Sequence, residues 1–362
     1  MYTHTKYNIC EHEGTGKPAT AFPPYEERPE TYYVPVLFAI IFILGVVGNG
    51  IIVITFLRHK TMRSSSNTYI FSLALADLLV IITCVPFTSI LYTVKYWPFG
   101  TFLCKLSMTT KDIFIGVSVF TLAALSARRY IPIKHPIRQR VSEETLSQST
   151  RTVLAIWGLA IFVSVPSAIG AHLRVINSNP SAVICYPYPA EYGLAYAKGV
   201  VLAKFLIHYV IPFSTIAIVY IMIARQLIIS TRNISLFPGG LQPHQARLIK
   251  ERRKTAKKVL VYVLIFAVFL LPHHVFLLWF YWFSENPMRN YNKFWHYLRI
   301  IGFCLTFANS FVNPFILYDT GTFGKHFNRY LRCRQDPSSS QERSSSRRLT
   351  NSRTTSWSTR SY

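Results

Sequence analysis

The chain has 362 residues and a formal net charge of +24, yet only 15% of its residues are charged and 51% are hydrophobic. An ordinary soluble domain carries about 25% charged residues, so the composition excludes that class. The basic residues stand in short clusters between long apolar runs, which predicts a membrane protein and argues against a nucleic-acid-binding surface.

Seven apolar stretches are long enough to cross a bilayer, since a spanning helix needs about 20 mostly apolar residues. In chain order they are 34–57, 68–94, 102–131, 151–173, 196–228, 254–284 and 293–318. We therefore expect an all-α membrane protein, a seven-transmembrane helix bundle. The opening "MYTHTKYNIC" is polar, so no cleavable signal peptide is expected and the first helix would act as the targeting signal.

The distribution of Lys and Arg predicts the orientation of this bundle. With the N-terminus outside, 27 of the 39 basic residues fall in inner segments, as the positive-inside rule requires. The chain is thus expected to be a multi-pass plasma-membrane protein with its C-terminus in the cytoplasm. The basic inner face would contact anionic membrane lipid, and a nucleic-acid partner is not expected.

The predicted regions follow from these spans. Residues 1–33 are expected to be an extracellular tail, 34–318 the transmembrane domain, 319–333 a short amphipathic eighth helix and 334–362 a disordered cytoplasmic tail rich in Ser, Thr and Arg. Cys333, at the end of the amphipathic stretch, is either palmitoylated or a free thiol.

The cysteines predict one disulfide. Cys104 begins the third stretch on the outer side and Cys185 lies in the outer loop before the fifth, where conditions are oxidising, so we expect these two to be bonded. Cys84 and Cys304 are interpreted as buried apolar residues, and Cys10 has no evident partner.

Polar residues inside spanning helices are functional candidates. The ones at similar depth are Asn49, Asp77, Ser118, Asn309 and Asn313. Together they suggest a hydrated cluster able to hold a sodium ion; the alternative is a hydrogen-bond network that only fixes helix packing. Prolines within four spans are expected to kink their helices and to allow two packings of the bundle; they are Pro166, Pro212, Pro272 and Pro314.

A set of motifs in order along the chain resembles the rhodopsin-like G-protein-coupled receptors. They include "GN" in the first stretch, "LALAD" in the second, "ARRY" at the end of the third and "NP" in the seventh. The finer segments "WPFGTFLCKL", "PHHVFLLWF" and "NPFILY" are similar to bombesin-type and insect CCHamide peptide receptors. The resemblance implies a receptor for an extracellular neuropeptide that signals through heterotrimeric G proteins, with arrestin and receptor kinases as partners of the Ser/Thr-rich tail.

The resemblance also assigns residues to G-protein coupling, and the chain departs from the family nearby. Arg129, Tyr130 and Tyr220 match the coupling residues. Arg128 replaces the acid that pairs with the conserved arginine at rest, and is itself expected to reach lipid phosphates. Pro132 and Leu270 are further departures, Leu270 standing where the family has a tryptophan. These changes predict raised basal signalling or, alternatively, a weakly coupled or decoy receptor that binds peptide without normal signalling.

Five residues are expected to contact the ligand. Lys111 lies about 10 Å deeper along the helix than Cys104, too deep to reach the outer interface easily. The resemblance implies the other four, which fall at ligand-facing heights in the family: Lys204, His273, His274 and Arg299. Lys111 either lines a water-filled cavity or pairs with an acid such as Asp112. A cationic, aromatic pocket suits a peptide, since amine receptors of this fold need an acid where Lys111 stands.

Other function classes find little support in the sequence. Catalytic motifs, a metal site and a cofactor other than the sodium ion are not expected, so the chain is not predicted to be an enzyme. His273 and His274 point about 100° apart on a helix, which disfavours chelation of one metal by both. A transporter would usually show inverted repeats, and a channel a pore loop; neither is seen.

Overall fold

The computed structural model describes residues 28–90, 96–134, 145–176, 182–235, 243–287 and 289–318. The expected eighth helix, the disordered tail with Cys333, and Cys10 lie outside these ranges. The chain divides into two compact units between Phe315 and Ile316. The described helices and strands lie in the first unit, apart from the end of the last helix.

The described ranges contain nine α-helices and one two-stranded hairpin. The helices are α1 Glu30–Arg58, α2 Ser65–Thr83, α3 Val85–Ile90, α4 Gly100–Lys134, α5 Leu146–Gly170, α6 Gly193–Phe205, α7 Ile211–Ser235, α8 Pro243–Leu278 and α9 Lys293–Tyr318. The antiparallel strands β1 His172–Ile176 and β2 Ala182–Tyr186 pair residue by residue between α5 and α6.

Six segments of the described ranges are long and apolar enough to cross a membrane. They are α1, α2 with α3, α4 to Arg128, α5, Ala190–Gln226 and Leu260–Phe283. The seventh predicted span corresponds to α9, whose 26 residues extend about 39 Å at 1.5 Å per residue. Apolar side chains cover the outside of these helices, and Phe162, Val268 and Ile218 are each more than half exposed there, as a lipid-facing surface requires.

Polar caps define the starts of two helices. Ser64 precedes α2, and its hydroxyl accepts a hydrogen bond from the Asn67 backbone N–H at 3.3 Å. Thr145 and Gln148 form a reciprocal capping box at the start of α5. Such caps satisfy backbone donors that the first turn of a helix leaves without a partner.

Irregular turns accompany the proline expected to kink the fifth span. Residues Leu206–Val210 form a π turn between α6 and α7, directly before Pro212. Proline cannot donate a backbone hydrogen bond, and a wider turn next to it changes the direction in which the preceding side chains point. A second π turn, Trp279–Phe283, follows α8, whereas Pro166, Pro272 and Pro314 stay inside continuous helices.

Helix α4 is central in the bundle, because it packs against α2, α5, α7 and α8. Two glycines bring α9 close to other helices. A Cβ on Gly48 of α1 would lie 2.6 Å from Pro314 Cγ, and one on Gly302 would lie 2.6 Å from the His273 backbone nitrogen. Small residues allow such close backbone approach between membrane helices.

Candidate ligand-binding and coupling sites

A disulfide marks one end of the bundle, called the disulfide end below. Cys104, in the first turn of α4, is bonded to Cys185 in β2, with their Cα atoms 5.6 Å apart. This confirms the predicted pair. Cys84 and Cys304 are free and buried, also as predicted.

The hairpin is held to this end by further contacts. The Trp97 backbone N–H donates to the Val183 carbonyl at 2.6 Å, and the Trp97 indole N–H donates to the Gly100 carbonyl at 2.9 Å. The Trp97 ring packs with Cys104 and Ala171. Gly100 has φ +71°, a conformation that glycine adopts without strain, so the turn into α4 depends on it.

A buried ion pair joins three helices below the hairpin. The Lys204 ammonium of α6 lies 2.6 Å from Asp112 Oδ2 of α4, and the two side chains are only 14% and 5% exposed. Lys204 also donates to the Ser167 hydroxyl of α5 at 2.7 Å, and that hydroxyl donates to Asp112. A buried charge pair needs such additional hydrogen bonds, because both ions have lost their water.

Lys111 differs from Lys204 in its surroundings. It is half-buried on α4, and within the described part of the chain its ammonium has no hydrogen bond or ion pair. Its sequence neighbour Asp112 pairs with Lys204 rather than with Lys111. Lys111 follows Cys104 by about 10 Å along the helix axis.

Two buried histidines lie among aromatic rings. The His274 ring is 5.6 Å from Phe205 and 5.4 Å from Tyr209, and the His208 ring, on the π turn, is 6.2 Å from Phe120. The Nε2 atoms of His208 and His274 have no hydrogen-bond partner among the described residues. His273 is half-buried at the close approach to α9. Sequence reasoning missed His208, because its inward direction depends on the π turn.

Arg299 lies near the mouth of the bundle at the disulfide end, in the second turn of α9. Its side chain is exposed, and its guanidinium is 5.8 Å from the centre of the Tyr291 ring. The nearby Trp279 and Trp295 rings stack with centroids 3.9 Å apart. The exposed Arg299 thus belongs to a group of half-buried aromatic residues rather than to the buried charges.

A tyrosine cluster connects the hairpin end to α8. The Lys204 ammonium is 6.0 Å from the Tyr188 ring centre, and the Tyr188 ring is 5.2 Å from that of Tyr281. The Tyr186 and Tyr281 hydroxyls are 3.2 Å apart. Burial raises the pKa of Tyr188, so its phenol stays protonated.

A second buried pair at the disulfide end joins the first and last helices. His296 Nε2 of α9 lies 2.6 Å from Glu30 Oε1 of α1, and each side chain is 7% exposed. The other ring nitrogen of His296 is 3.2 Å from the Tyr291 hydroxyl. Sequence analysis missed this contact, since the two residues are 266 positions apart.

The four described side chains of the predicted sodium cluster are buried, and one of them, Asn49, has a clear packing role. Asn49 Nδ2 donates to the Gly45 carbonyl at 3.0 Å and to the Ser310 carbonyl at 2.8 Å. Asp77, Ser118 and Asn309 are at most 1% exposed. Ser118 Oγ and Asn309 Nδ2 have no hydrogen-bond partner in the described ranges, and the Asn313 side chain lies outside them.

Arg128, at the opposite end of α4, contacts two side chains of α2. Its Nη1 donates to the Ser65 hydroxyl at 2.8 Å, and its Cζ is 5.3 Å from the Tyr69 ring centre. The first turns of α2 thus offer Arg128 a hydroxyl and an aromatic face, which the sequence analysis did not predict. The contact of Arg128 with lipid phosphates stays a prediction.

The other coupling residues are only partly described. Tyr130 and Tyr220 are half-buried, and the Arg129 side chain lies outside the described part. The α4 helix continues through Pro132 to Lys134.

Leu270, which replaces the tryptophan of the family, is fully buried on α8, as is Phe266 one turn before it. The Phe266 ring is 6.5 Å from that of Phe213. Leu270 is thus accommodated in the core of the bundle.

Comparison with known proteins agrees with this architecture. Residues 48–317 match the model of the seven-transmembrane receptor (rhodopsin) family. The chain is 51% identical over 87% of its length to the neuropeptide CCHamide-1 receptor of Drosophila melanogaster and spans 63% of that protein. It is 34% identical over 92% of its length to bombesin receptor subtype-3 of Ovis aries, of which it covers 84%, and 34% identical over 85% of its length to a bombesin receptor of Bombina orientalis, of which it covers 79%.

These matches define the class of the protein. It is a multi-pass membrane receptor with a seven-helix bundle, and it is not an enzyme. The chain belongs to the rhodopsin family of seven-transmembrane receptors, and its relatives named above are peptide receptors of the CCHamide and bombesin kinds.

Proposed function

We propose that the chain is a plasma-membrane receptor for a CCHamide-like neuropeptide, with the disulfide end outside and the opposite end coupled to a heterotrimeric G protein. The observation that carries this proposal is the half-buried Lys111 below the disulfide-bonded hairpin. A cation at this level of α4 does not suit an amine ligand, whereas the carbonyl and carboxylate oxygens of a peptide are ready acceptors. The 51% identity to the fly CCHamide-1 receptor supports the ligand class.

The proposed peptide site combines the cation, the histidines and the aromatic mouth. Lys111, His273 and His274 would contact the part of the peptide that enters the bundle, and Arg299 the part at the mouth. Lys204 is included as a residue of the same cavity, although its ammonium is already paired with Asp112. Residues 1–33 would form the extracellular tail above this site.

The opposite end would contact the G protein through Arg129, Tyr130 and Tyr220. The Ser/Thr-rich residues 334–362 would be substrates of receptor kinases and then bind arrestin, with the amphipathic segment 319–333 and a palmitoylated Cys333 at the lipid surface. A sodium ion at Asp77, Ser118, Asn309 and Asn313, next to Asn49, would favour the resting packing.

A signalling assay in transfected cells tests the proposal. Calcium and cyclic AMP should respond to synthetic CCHamide-1 at lower concentration than to bombesin, with cells lacking the receptor as control. Surface expression, measured with an N-terminal epitope tag, must be confirmed. No response to either peptide at normal surface expression would refute the ligand class. Specific peptide binding without any signal would instead indicate the weakly coupled receptor.

A further inference from the structure

Three charged side chains lie close together below the hairpin, and they are not equivalent. Asp112 contacts Lys204 at 2.6 Å and receives a hydrogen bond from Ser167. Lys111, the residue before Asp112, has no ion pair among the described residues. The acid is therefore shared unequally: Asp112 forms its ion pair with Lys204 and none with Lys111.

The geometry of Ser167 explains this preference. Its hydroxyl accepts from Lys204 at 2.7 Å and donates to Asp112, so it holds both partners from a third helix. Removal of one member of a buried pair leaves an uncompensated charge away from water, which is strongly unfavourable. The pair is thus fixed between three helices, whereas the half-buried Lys111 has no such partner among the described residues.

We propose that Asp112, held by Ser167, sets the charge selectivity of the peptide cavity: it neutralises Lys204 and leaves Lys111 as the cation for a carboxylate of the ligand. This inference rests on the proposed peptide site. Asp112 and Ser167 act as positioning residues, since they act through Lys204 and do not contact the peptide.

Lys204 then has a second role in the hairpin region. Its ammonium is 6.0 Å from the centre of the Tyr188 ring, and a cation near an aromatic face is attracted to it. Tyr188 lies two residues after the end of β2 and packs on Tyr281. The paired lysine therefore supports the segment that follows the disulfide-bonded strand.

The first test measures the charge of the cavity without any ligand. A reporter cysteine is introduced by His273→Cys. The His273 ring is 5.9 Å from that of His274, which in turn is 5.6 Å from the ring of Phe205, the residue after Lys204. The purified receptor is treated with an anionic (sulfonate) or a cationic (trimethylammonium) methanethiosulfonate reagent, and the labelling rate is followed by mass spectrometry. The same receptor without the reporter corrects for labelling of its native cysteines.

The ratio of anionic to cationic labelling reports the local potential. Asp112→Asn should raise this ratio on the order of tenfold, because it exposes a second positive charge. Lys204→Met should lower it by a similar factor, and the double variant should return it close to the parent value. Two results would contradict the proposal that Asp112 neutralises Lys204. One is an unchanged labelling ratio in Asp112→Asn, and the other is a ratio in the double variant that stays different from that of the parent. Ser167→Ala is the matched control, because it removes the hydroxyl between the two residues but keeps both charges. It is also the milder variant to use if a charge substitution impairs folding.

The second test measures selectivity with CCHamide-1 and analogues in which each carboxylate is exchanged in turn for a carboxamide. For one of these carboxylates, the parent receptor should bind the carboxylate form more tightly than the carboxamide form. Lys111→Met should remove that preference. Asp112→Asn should increase the preference, and Asp112→Asn with Lys204→Met should restore the parent ratio. Equal weakening of both forms by Lys111→Met would show that Lys111 does not bind the anion. If no peptide acts on the parent, the proposed function fails, while the labelling ratios still decide the role of Asp112.

Discussion

Arg128 and Arg129 are adjacent in the sequence, but a helix directs consecutive side chains about 100° apart. Arg128 turns toward α2, where it bonds to Ser65 and lies over Tyr69. A hydrogen bond from a charged donor contributes about 1.5–3 kcal/mol, so this contact ties the end of α4 to the first turns of α2. At the position where the family has an acid that pairs with the next arginine, this chain thus has an arginine that connects α4 to α2.

Replacement of Arg128 by an acid should restore the pair that the family uses. Arg128→Asp is expected to lower basal signalling by up to about fivefold, since an exposed ion pair with Arg129 contributes about 0–1 kcal/mol. The measurement is basal signal as a function of receptor expression.

The matched control for this change is Arg128→Asn. It keeps a polar group of the same size as Asp without the negative charge, so it should leave basal signalling above that of the Asp variant. Equal basal signals in the two variants would show that charge at this position does not restrain the receptor.

The sequence predicted which charged residues lie within the membrane but not which of them form pairs. Lys111, Asp112 and Lys204 were all identified, whereas the pairing of Asp112 with Lys204 depends on the relative rotation of α4 and α6 and on the π turn that follows Lys204. Ser167 was missed because serine is common in spanning helices, is uncharged, and here forms no recognisable motif with its neighbours in the sequence. The contact of Arg128 with α2 was missed for the same reason as the pairing of Asp112, because its partners lie on another helix.

At the level of elements, the close approach of α9 to α8 depends on Gly302. A Cβ there would lie 2.6 Å from the His273 backbone nitrogen and 2.9 Å from its Cα, and backbone atoms cannot move aside as a flexible side chain can. Gly302→Ala should therefore lower the thermal stability of the purified receptor, since overpacking costs about 1–3 kcal/mol.

Gly199→Ala provides the comparison for this substitution. A Cβ at Gly199 meets nothing within 4 Å, and alanine favours a helix over glycine by about 1 kcal/mol. The melting temperature should be unchanged or higher. If Gly302→Ala were as stable as Gly199→Ala, the two helices would be less tightly packed than the structure shows.

The hairpin depends on its disulfide, which links positions 81 residues apart. Cys104→Ser and Cys185→Ser should each destabilise the disulfide end by about 2–4 kcal/mol and reduce peptide binding or surface delivery. The double variant should be no worse than either single variant, because one bond is lost in all three. Cys304→Ala, a change at a free cysteine, is the control and should bind normally.

The elements themselves were predictable to different degrees. Apolar runs located the spans, with most ends a few residues from those observed. The inner ends of the fifth and sixth spans extend further, to Ser235 in α7 and back to Pro243 in α8. The interruption at Cys84 between α2 and α3, the two π turns and the hairpin were not predicted. Each of these features depends on how neighbouring segments pack against one another. The hydropathy of a single segment gives no information about that packing.

At the level of the whole bundle, the polar cluster around Asp77 should respond to sodium. A cation that binds one packing more tightly shifts the equilibrium by its differential affinity. Raised sodium should therefore weaken agonist binding by about fivefold or more, measured by radioligand displacement with an organic cation at equal ionic strength as control. Asp77→Asn should abolish the shift. A mutant with the parent's sodium sensitivity would leave only the packing role seen for Asn49.

The contact between Glu30 and His296 has a consequence for biosynthesis. Helix α1 leaves the ribosome first and α9 last, so this pair forms only when the whole bundle has been synthesised. Until then, the Glu30 carboxylate lacks the histidine that faces it at 2.6 Å in the finished protein. A chain that stops before α9 would therefore retain an unmatched acid at the start of its first helix, and completion of the last helix is what supplies its partner.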